Sequence, residues 1–179
     1  LDKHCGPQKR VVGGMEESAF AVTNKDDKNG LVMTQNCKAA VHTYSTRSLA
    51  DYKAQILEEG FDGMMLNING KEVFVPLVGR FNVSNLLCIY GAALNLGFDE
   101  LEVLRVLSTL KPVNGRFETI HSDKGWTAIV DYAHTPDGLE AALDALRPHA
   151  KGRLVLVFGA GGDRDQAKRP EMGRVAAAK

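Results

Sequence analysis

The chain has 179 residues, 44% of them hydrophobic and 25% charged, with 22 Lys+Arg against 22 Asp+Glu and a formal net charge of zero. This composition falls in the range of globular proteins, and the neutral balance leaves no basic footprint for nucleic acid. No apolar run approaches 18 residues and no signal peptide precedes the domain, which argues against membrane insertion. Cys5, Cys37 and Cys88 form no Cys-x-x-Cys and read as free thiols in a reducing compartment, so the expected location is the cytoplasm.

A complete chain of this length would bury about 70% of its unfolded surface and suffices for one good domain or two small ones. It starts on a leucine and stops at Ala176-Ala177-Ala178-Lys179, inside an apparent helix. The expectation is an internal piece of a longer protein.

Residues 1–18 have no clear period and read as a frayed end. Ala19 to Thr23 predicts a strand, and Asn24 to Gly30 supplies turn and cap chemistry. A short helix is expected over 31–38 and a strand over 39–44. Tyr52, Ala54 and Ile56 alternate as in a strand. Met64, Leu66 and Ile68 precede Asn69-Gly70, while Val73, Val75 and Leu77 follow, which predicts a hairpin with a type I′ turn.

A helix is expected over 84–96, ended by Gly97. Asp99 and Glu102 form a capping-box-like start for the next, with Leu101, Leu104 and Leu107 on it. Pro112, Asn114 and Gly115 read as a linker. Residues 116–120 and 128–130 look like strands around a turn at Ser122 to Gly125.

Ile129 to Gly138 reads I-V-D-Y-A-H-T-P-D-G. A short strand is followed by an acid and an imidazole, then by a helix start, with Thr135 suited to the N-cap and Pro136 to the first turn. Leu139, Ala142, Leu143 and Leu146 give that helix one apolar face. Arg153 to Phe158 is a near-continuous apolar run, as in a strand covered on both faces. It leads into Gly159, Gly161 and Gly162 and the charges Asp163, Arg164 and Asp165. Residues 129–158 thus read as a βαβ unit with a polar loop after each strand, where open α/β sheets place anionic ligands.

Four motifs carry a resemblance: G-R-F-N-V-S-N-L-L at 79–87, N-G-R-F-E at 114–118, D-Y-A-H-T-P-D at 131–137, and F-G-A-G-G-D-R-D-x-x-K-R-P at 158–170. Their types and order resemble the Mur ligases, and among them the ligases that add the third residue of the peptidoglycan stem peptide. The likeness runs from about Ala19 to the end.

The resemblance implies an α/β fold in two parts. Residues 1–113 would be the C-terminal part of a central ATP-binding domain, a mixed sheet with a β-hairpin and helices. Residues 114–179 would begin a Rossmann-like C-terminal domain. It implies ATP and Mg²⁺ as cofactors and an ATP-dependent amide ligation. A carboxylate of UDP-N-acetylmuramoyl-L-alanyl-D-glutamate would take the γ-phosphoryl group. The amine of diaminopimelate or lysine would then displace phosphate. A monomer is expected.

The resemblance also assigns residues, each with a plainer alternative. Asn82 and Asn85 would contact adenine, or cap a helix. Arg116 would reach the ATP phosphates with its paired N–H donors, or remain a surface charge. Asp131 would serve the ribose and His134 the phosphates, or both would be turn and helix-start residues. Arg164 would hold a carboxylate of the incoming amino acid, or pair with its neighbouring aspartates. Glu118 reads as structural. No histidine or cysteine lies at metal-ligand spacing from His134, and no catalytic side chain is assigned.

No Gly-x-x-x-x-Gly-Lys-Ser/Thr occurs in the sequence, so the loop that cradles ATP phosphates is absent. The isolated chain is therefore expected to be inactive. Two other readings are another ligase of the superfamily, such as a folylpolyglutamate synthase or cyanophycin synthetase, and a non-catalytic nucleotide-binding fragment.

Overall fold

The computed structural model of the chain describes residues 11–161 and 166–179. Its first sheet contains β1 (Phe20–Asn24), β2 (Ala40–Ser45), β3 (Tyr52–Gly60), β4 (Gly63–Ile68) and β5 (Lys71–Val75), side by side in that order. β1, β2 and β3 are parallel, and β3, β4 and β5 are antiparallel. This is the mixed sheet that the resemblance implies, with the hairpin that Asn69-Gly70 predicts. The short helix α1 (Gly30–Thr34) ends before the expected Lys38.

The hairpin turn is made as its residues demand. Asn69 has φ 47° and Gly70 φ 89°, the two positive values of a type I′ turn. Asn69 adds a tertiary tie: its Oδ1 accepts from Lys53 N–H at 2.8 Å and its Nδ2 donates to Asp51 O at 3.1 Å.

The parallel strands are joined at their C-terminal ends by Asp26. Its carboxylate accepts from the Ser45 hydroxyl at 2.5 Å and from Thr46 N–H at 2.7 Å. Burial pushes this carboxyl up, but these hydrogen bonds outweigh it and hold the group below its ordinary range.

Helix α2 (Phe81–Asn95) covers the sheet, with Val83, Leu86, Leu87 and Tyr90 buried against Tyr52, Ala54, Leu66 and Ile68. Gly91 permits the close approach, since a Cβ there would lie 2.5 Å from Tyr52 Cδ2. The helix starts three residues earlier than expected and ends as predicted, with Gly97 in the left-handed region at φ 87°. Helix α3 (Glu100–Leu107) is capped by Asp99, whose side chain accepts from Glu102 N–H at 3.0 Å. Leu104 and Leu107 turn inward, but Leu101 is 65% exposed and Val103 takes the inner place.

Beyond the linker, β6 (Glu118–His121) and β7 (Thr127–Val130) form a two-stranded antiparallel sheet of their own. Helix α4 (Pro136–Leu146) begins as expected: Thr135 accepts from Gly138 N–H at 3.2 Å and Pro136 opens the first turn. Leu139 and Leu143 on α4 pack with Met172 of α5 (Lys168–Ala178).

The run at 153–158 corrects the sequence reading. It forms no strand, so the βαβ unit is not completed among the described residues. Leu154 and Leu156 pack on the α4–α5 cluster, while Val155 and Val157 point outward, 69% and 93% exposed. A strand inside a parallel sheet has both faces covered. Here the helices cover one face only, and no ladder forms beside it.

Candidate functional site

Asp131 follows β7 directly and is used by the backbone around it. Its Oδ2 accepts from Phe117 N–H at 2.9 Å, and its Oδ1 accepts from Ala133 N–H at 2.9 Å. The first bond ties the end of β7 to the residue after Arg116. The second shapes the D-Y-A-H turn. This is the turn role named as the plainer alternative, but a carboxylate offers about four lone-pair sites, so capacity remains for a ligand hydroxyl.

Phe117 is held by that bond in an uncommon conformation. Its φ is 52°, and its side chain is only 2% exposed. A bulky residue in this region is a backbone outlier that its surroundings must sustain. The ring meets Phe81 at 5.2 Å between centroids, edge to face. The start of α2 is thereby packed against the segment that carries Arg116. Glu118 accepts from Gly115 N–H at 2.8 Å and closes the linker turn, the structural role expected of it.

Arg116 lies with Cζ 4.5 Å above the centre of the Tyr132 ring. The same ring meets the His134 imidazole at 5.0 Å between centroids. His134 Nδ1 is 3.0 Å from Tyr132 O. A carbonyl can only accept, so Nδ1 carries a proton; Nε2 is the atom left for a ligand, and it donates to a phosphate oxygen when the ring is the imidazolium. Arg116, Asp131, Tyr132 and His134 thus form one exposed cluster at the start of α4, whose free N–H groups favour anions. A fork of N–H donors, an imidazole nitrogen and a helix N-terminus together match phosphate oxygens.

Asn82 and Asn85 sit on the first turns of α2. Asn82 Nδ2 donates to Val78 O at 2.8 Å, and Asn85 Nδ2 donates to Asn82 Oδ1 at 3.4 Å. Neither accepts from a helix N–H, so the capping alternative does not describe them. Phe81 connects their helix turn to the Arg116 cluster. Arg164 lies outside the described residues. Among the described residues no group of three or more His, Cys, Asp or Glu side chains could hold a metal ion.

A cleft of about 690 Å³ lies at the α2 start, lined by Arg47, Gln55, Glu59, Arg80, Phe81 and Ser84 among others. The sequence reading had not drawn attention to it. Arg80 spans its edge in a two-pronged pair with Glu59, with Nη2 to Oε1 at 2.6 Å and Nε to Oε2 at 2.9 Å. The guanidinium holds the Glu59 carboxyl below its ordinary range. Sequence reasoning also missed Phe81, Phe117 and Tyr132. All three stand inside the quoted motifs, next to the polar residues that drew attention.

Comparison with known proteins bears on this arrangement. Residues 8–93 match the Mur ligase middle domain, and residues 115–179 match the Mur ligase glutamate ligase domain. The chain is 56% identical over 178 residues to the UDP-N-acetylmuramoyl-L-alanyl-D-glutamate–2,6-diaminopimelate ligase of Phocaeicola vulgatus, covering 98% of this chain and 37% of that protein. A solved structure of a ligase of that name superposes with a TM-score of 0.68 at 33% identity, over 97% of this chain and 37% of the other. A folylpolyglutamate synthase from Thermotoga maritima shares the fold, with a TM-score of 0.63 at 17% identity over 83% of this chain and 37% of the other. The chain spans little more than a third of the length of the curated relatives it matches. On these two domain matches and this identity, with the four motifs in order, the chain belongs to the Mur ligase family.

Proposed function

We propose that the chain is part of an ATP-dependent amide ligase that adds diaminopimelate to UDP-N-acetylmuramoyl-L-alanyl-D-glutamate in peptidoglycan synthesis. In this reading residues 1–113 are the C-terminal part of the central ATP-binding domain, and residues 114–179 begin the Rossmann-like C-terminal domain. The observation that carries it is the gathering of Arg116 and His134 around the Tyr132 ring, next to Asp131, at a helix N-terminus. The name of the Phocaeicola vulgatus relative supports diaminopimelate rather than lysine.

ATP, when bound, supplies the phosphoryl group that activates the substrate carboxylate. The residues of this chain bind and orient it. Asn82 and Asn85 contact the adenine, Asp131 accepts from the ribose, and Arg116 and, as the imidazolium, His134 Nε2 donate to phosphate oxygens. Arg164 holds a carboxylate of the incoming amino acid. Magnesium accompanies the nucleotide as the second cofactor. The working enzyme is a cytoplasmic monomer. No helix among the described residues is long and apolar enough to cross a membrane. A folylpolyglutamate synthase shares the fold, but its low identity argues no further.

The test is steady-state kinetics on a full-length ligase containing this sequence, with each substrate varied. A charge-assisted carboxylate contact contributes roughly 1.5–3 kcal/mol, and about 1.4 kcal/mol is tenfold in affinity. Arg164→Ala should raise KM for the amino acid about tenfold or more and leave that for ATP nearly unchanged. His134→Ala should raise KM for ATP or lower kcat. An Arg164→Ala enzyme impaired mainly in ATP would reverse the two assignments. The 179-residue chain, lacking the phosphate-cradling loop motif, should release no phosphate in the presence of both substrates.

A further inference from the structure

Tyr132 stands out among the aromatic residues of the chain. It is 59% exposed, so burial does not account for its position. Its ring is instead occupied on the protein side by two polar groups, the Arg116 guanidinium at 4.5 Å and the His134 imidazole at 5.0 Å. Its carbonyl fixes the imidazole a second time, through Nδ1 at 3.0 Å. Its hydroxyl makes no hydrogen bond among the described residues. The Arg116 side chain makes no hydrogen bond or ion pair among those residues, and the ring is its stacking partner.

We propose that Tyr132 is the positioning residue that holds Arg116 and His134 together, with the guanidinium and Nε2 presented to one anionic ligand. The inference rests on the nucleotide reading above and extends it to a residue that reading leaves idle. A free arginine side chain samples many rotamers and loses that freedom when it binds. Stacking on an aromatic face restricts it beforehand, through attraction between the cation and the ring's negative face. The imidazole is held by the same residue, so two donors from different segments, the linker and the α4 start, share one support. Tyr132 touches neither phosphate nor any reacting atom; it acts through its two neighbours. What matters is the ring face, not the hydroxyl.

The experiment is titration of a full-length ligase containing this sequence with ATP, followed by the NMR signals of the Arg116 Nε–Hε group and the His134 ring protons. In the wild type both should move along one binding curve. Tyr132→Phe keeps the ring and should bind within about twofold of wild type, whereas Tyr132→Leu should bind about two- to fivefold more weakly. In an Arg116→Ala background, Tyr132→Leu should add much less, because the partner it positions is gone. A merely structural tyrosine would show the same loss in both backgrounds. Equal affinity of Tyr132→Leu and wild type, or equal impairment of Tyr132→Phe and Tyr132→Leu, would overturn the positioning role alone. A full-length wild type whose Arg116 and His134 signals ignore ATP would overturn the nucleotide site itself, and this inference with it.

Discussion

The N–H of Phe117 donates to the carboxylate of Asp131 at 2.9 Å, tying the linker to the end of β7. Because Asp131 also accepts from Ala133 N–H, one carboxylate organises both segments that carry the candidate phosphate donors. Asp131→Ala removes both acceptors. Each hydrogen bond contributes about 0.5–1.5 kcal/mol at such an exposed position. With about 2–4 °C per kcal/mol for a chain of this size, Tm should fall by several degrees. Asp131→Asn keeps one acceptor and should fall less. Thermal unfolding followed by circular dichroism measures both, and an unchanged Tm in Asp131→Ala would show that the tie carries no stability.

Phe81 against Phe117 is the aromatic contact between the α2 start and the linker. An edge-to-face pair adds about 0.5–1.5 kcal/mol beyond the area it buries. Phe81→Ala should loosen the linker while leaving the first core intact, since Phe81 itself lies outside that core. Limited trypsin digestion should cut faster after Arg116, by about two- to tenfold for a contact of that strength. Digestion at the wild-type rate would mean that the ring contact does not hold the linker.

Glu100 links α3 to the first sheet and to α2. It pairs with Lys71 at 2.7 Å and accepts from the Tyr90 hydroxyl at 2.6 Å. Lys71 and then Tyr90 hold its carboxyl below the ordinary value of 4.5, while burial and the same carboxylate push the Tyr90 hydroxyl up. A carboxyl lowered by folding contributes stability above its unfolded value, and that contribution is lost as pH falls through the folded value. Denaturant unfolding should therefore weaken below about pH 4.5. Glu100→Gln should be less stable at neutral pH and show a shallower acid dependence. A parallel pH profile for the two proteins would remove Glu100 from the acid response.

Gly91 sets how closely α2 approaches β3. A methyl group there would meet Tyr52 Cδ2 at 2.5 Å and Val22 Cγ1 at 3.3 Å. Helix propensity alone would make Gly91→Ala stabilising by about 1 kcal/mol. The clash in a close-packed interior costs about 1–3 kcal/mol and should win. The variant should unfold at lower denaturant, with the near-ultraviolet signal of Tyr52 and Tyr90 altered, since their rings meet edge to face at 5.7 Å. A more stable Gly91→Ala protein would show that Tyr52 shifts freely.

What could be read from the sequence was set by neighbours along the chain. Asn69-Gly70 specifies its turn because two adjacent residues must adopt positive φ, and both do. Thr135 and Asp99 cap their helices through N–H groups three residues away. The candidate polar residues were recognisable because they stand in short ordered motifs. Tertiary structure decided what those motifs meet. Tyr132 under Arg116 and Phe81 on Phe117 depend on packing across the linker, which no local preference encodes. The run at 153–158 makes the same point from the other side. Its composition suits a strand buried on both faces, but a strand exists only when a neighbour supplies hydrogen-bond partners. Here Leu154 and Leu156 find a helical cover while Val155 and Val157 find none. Local chemistry determines turns and caps because their partners are a few residues away; ladders and ring contacts wait on partners that only the folded chain brings near.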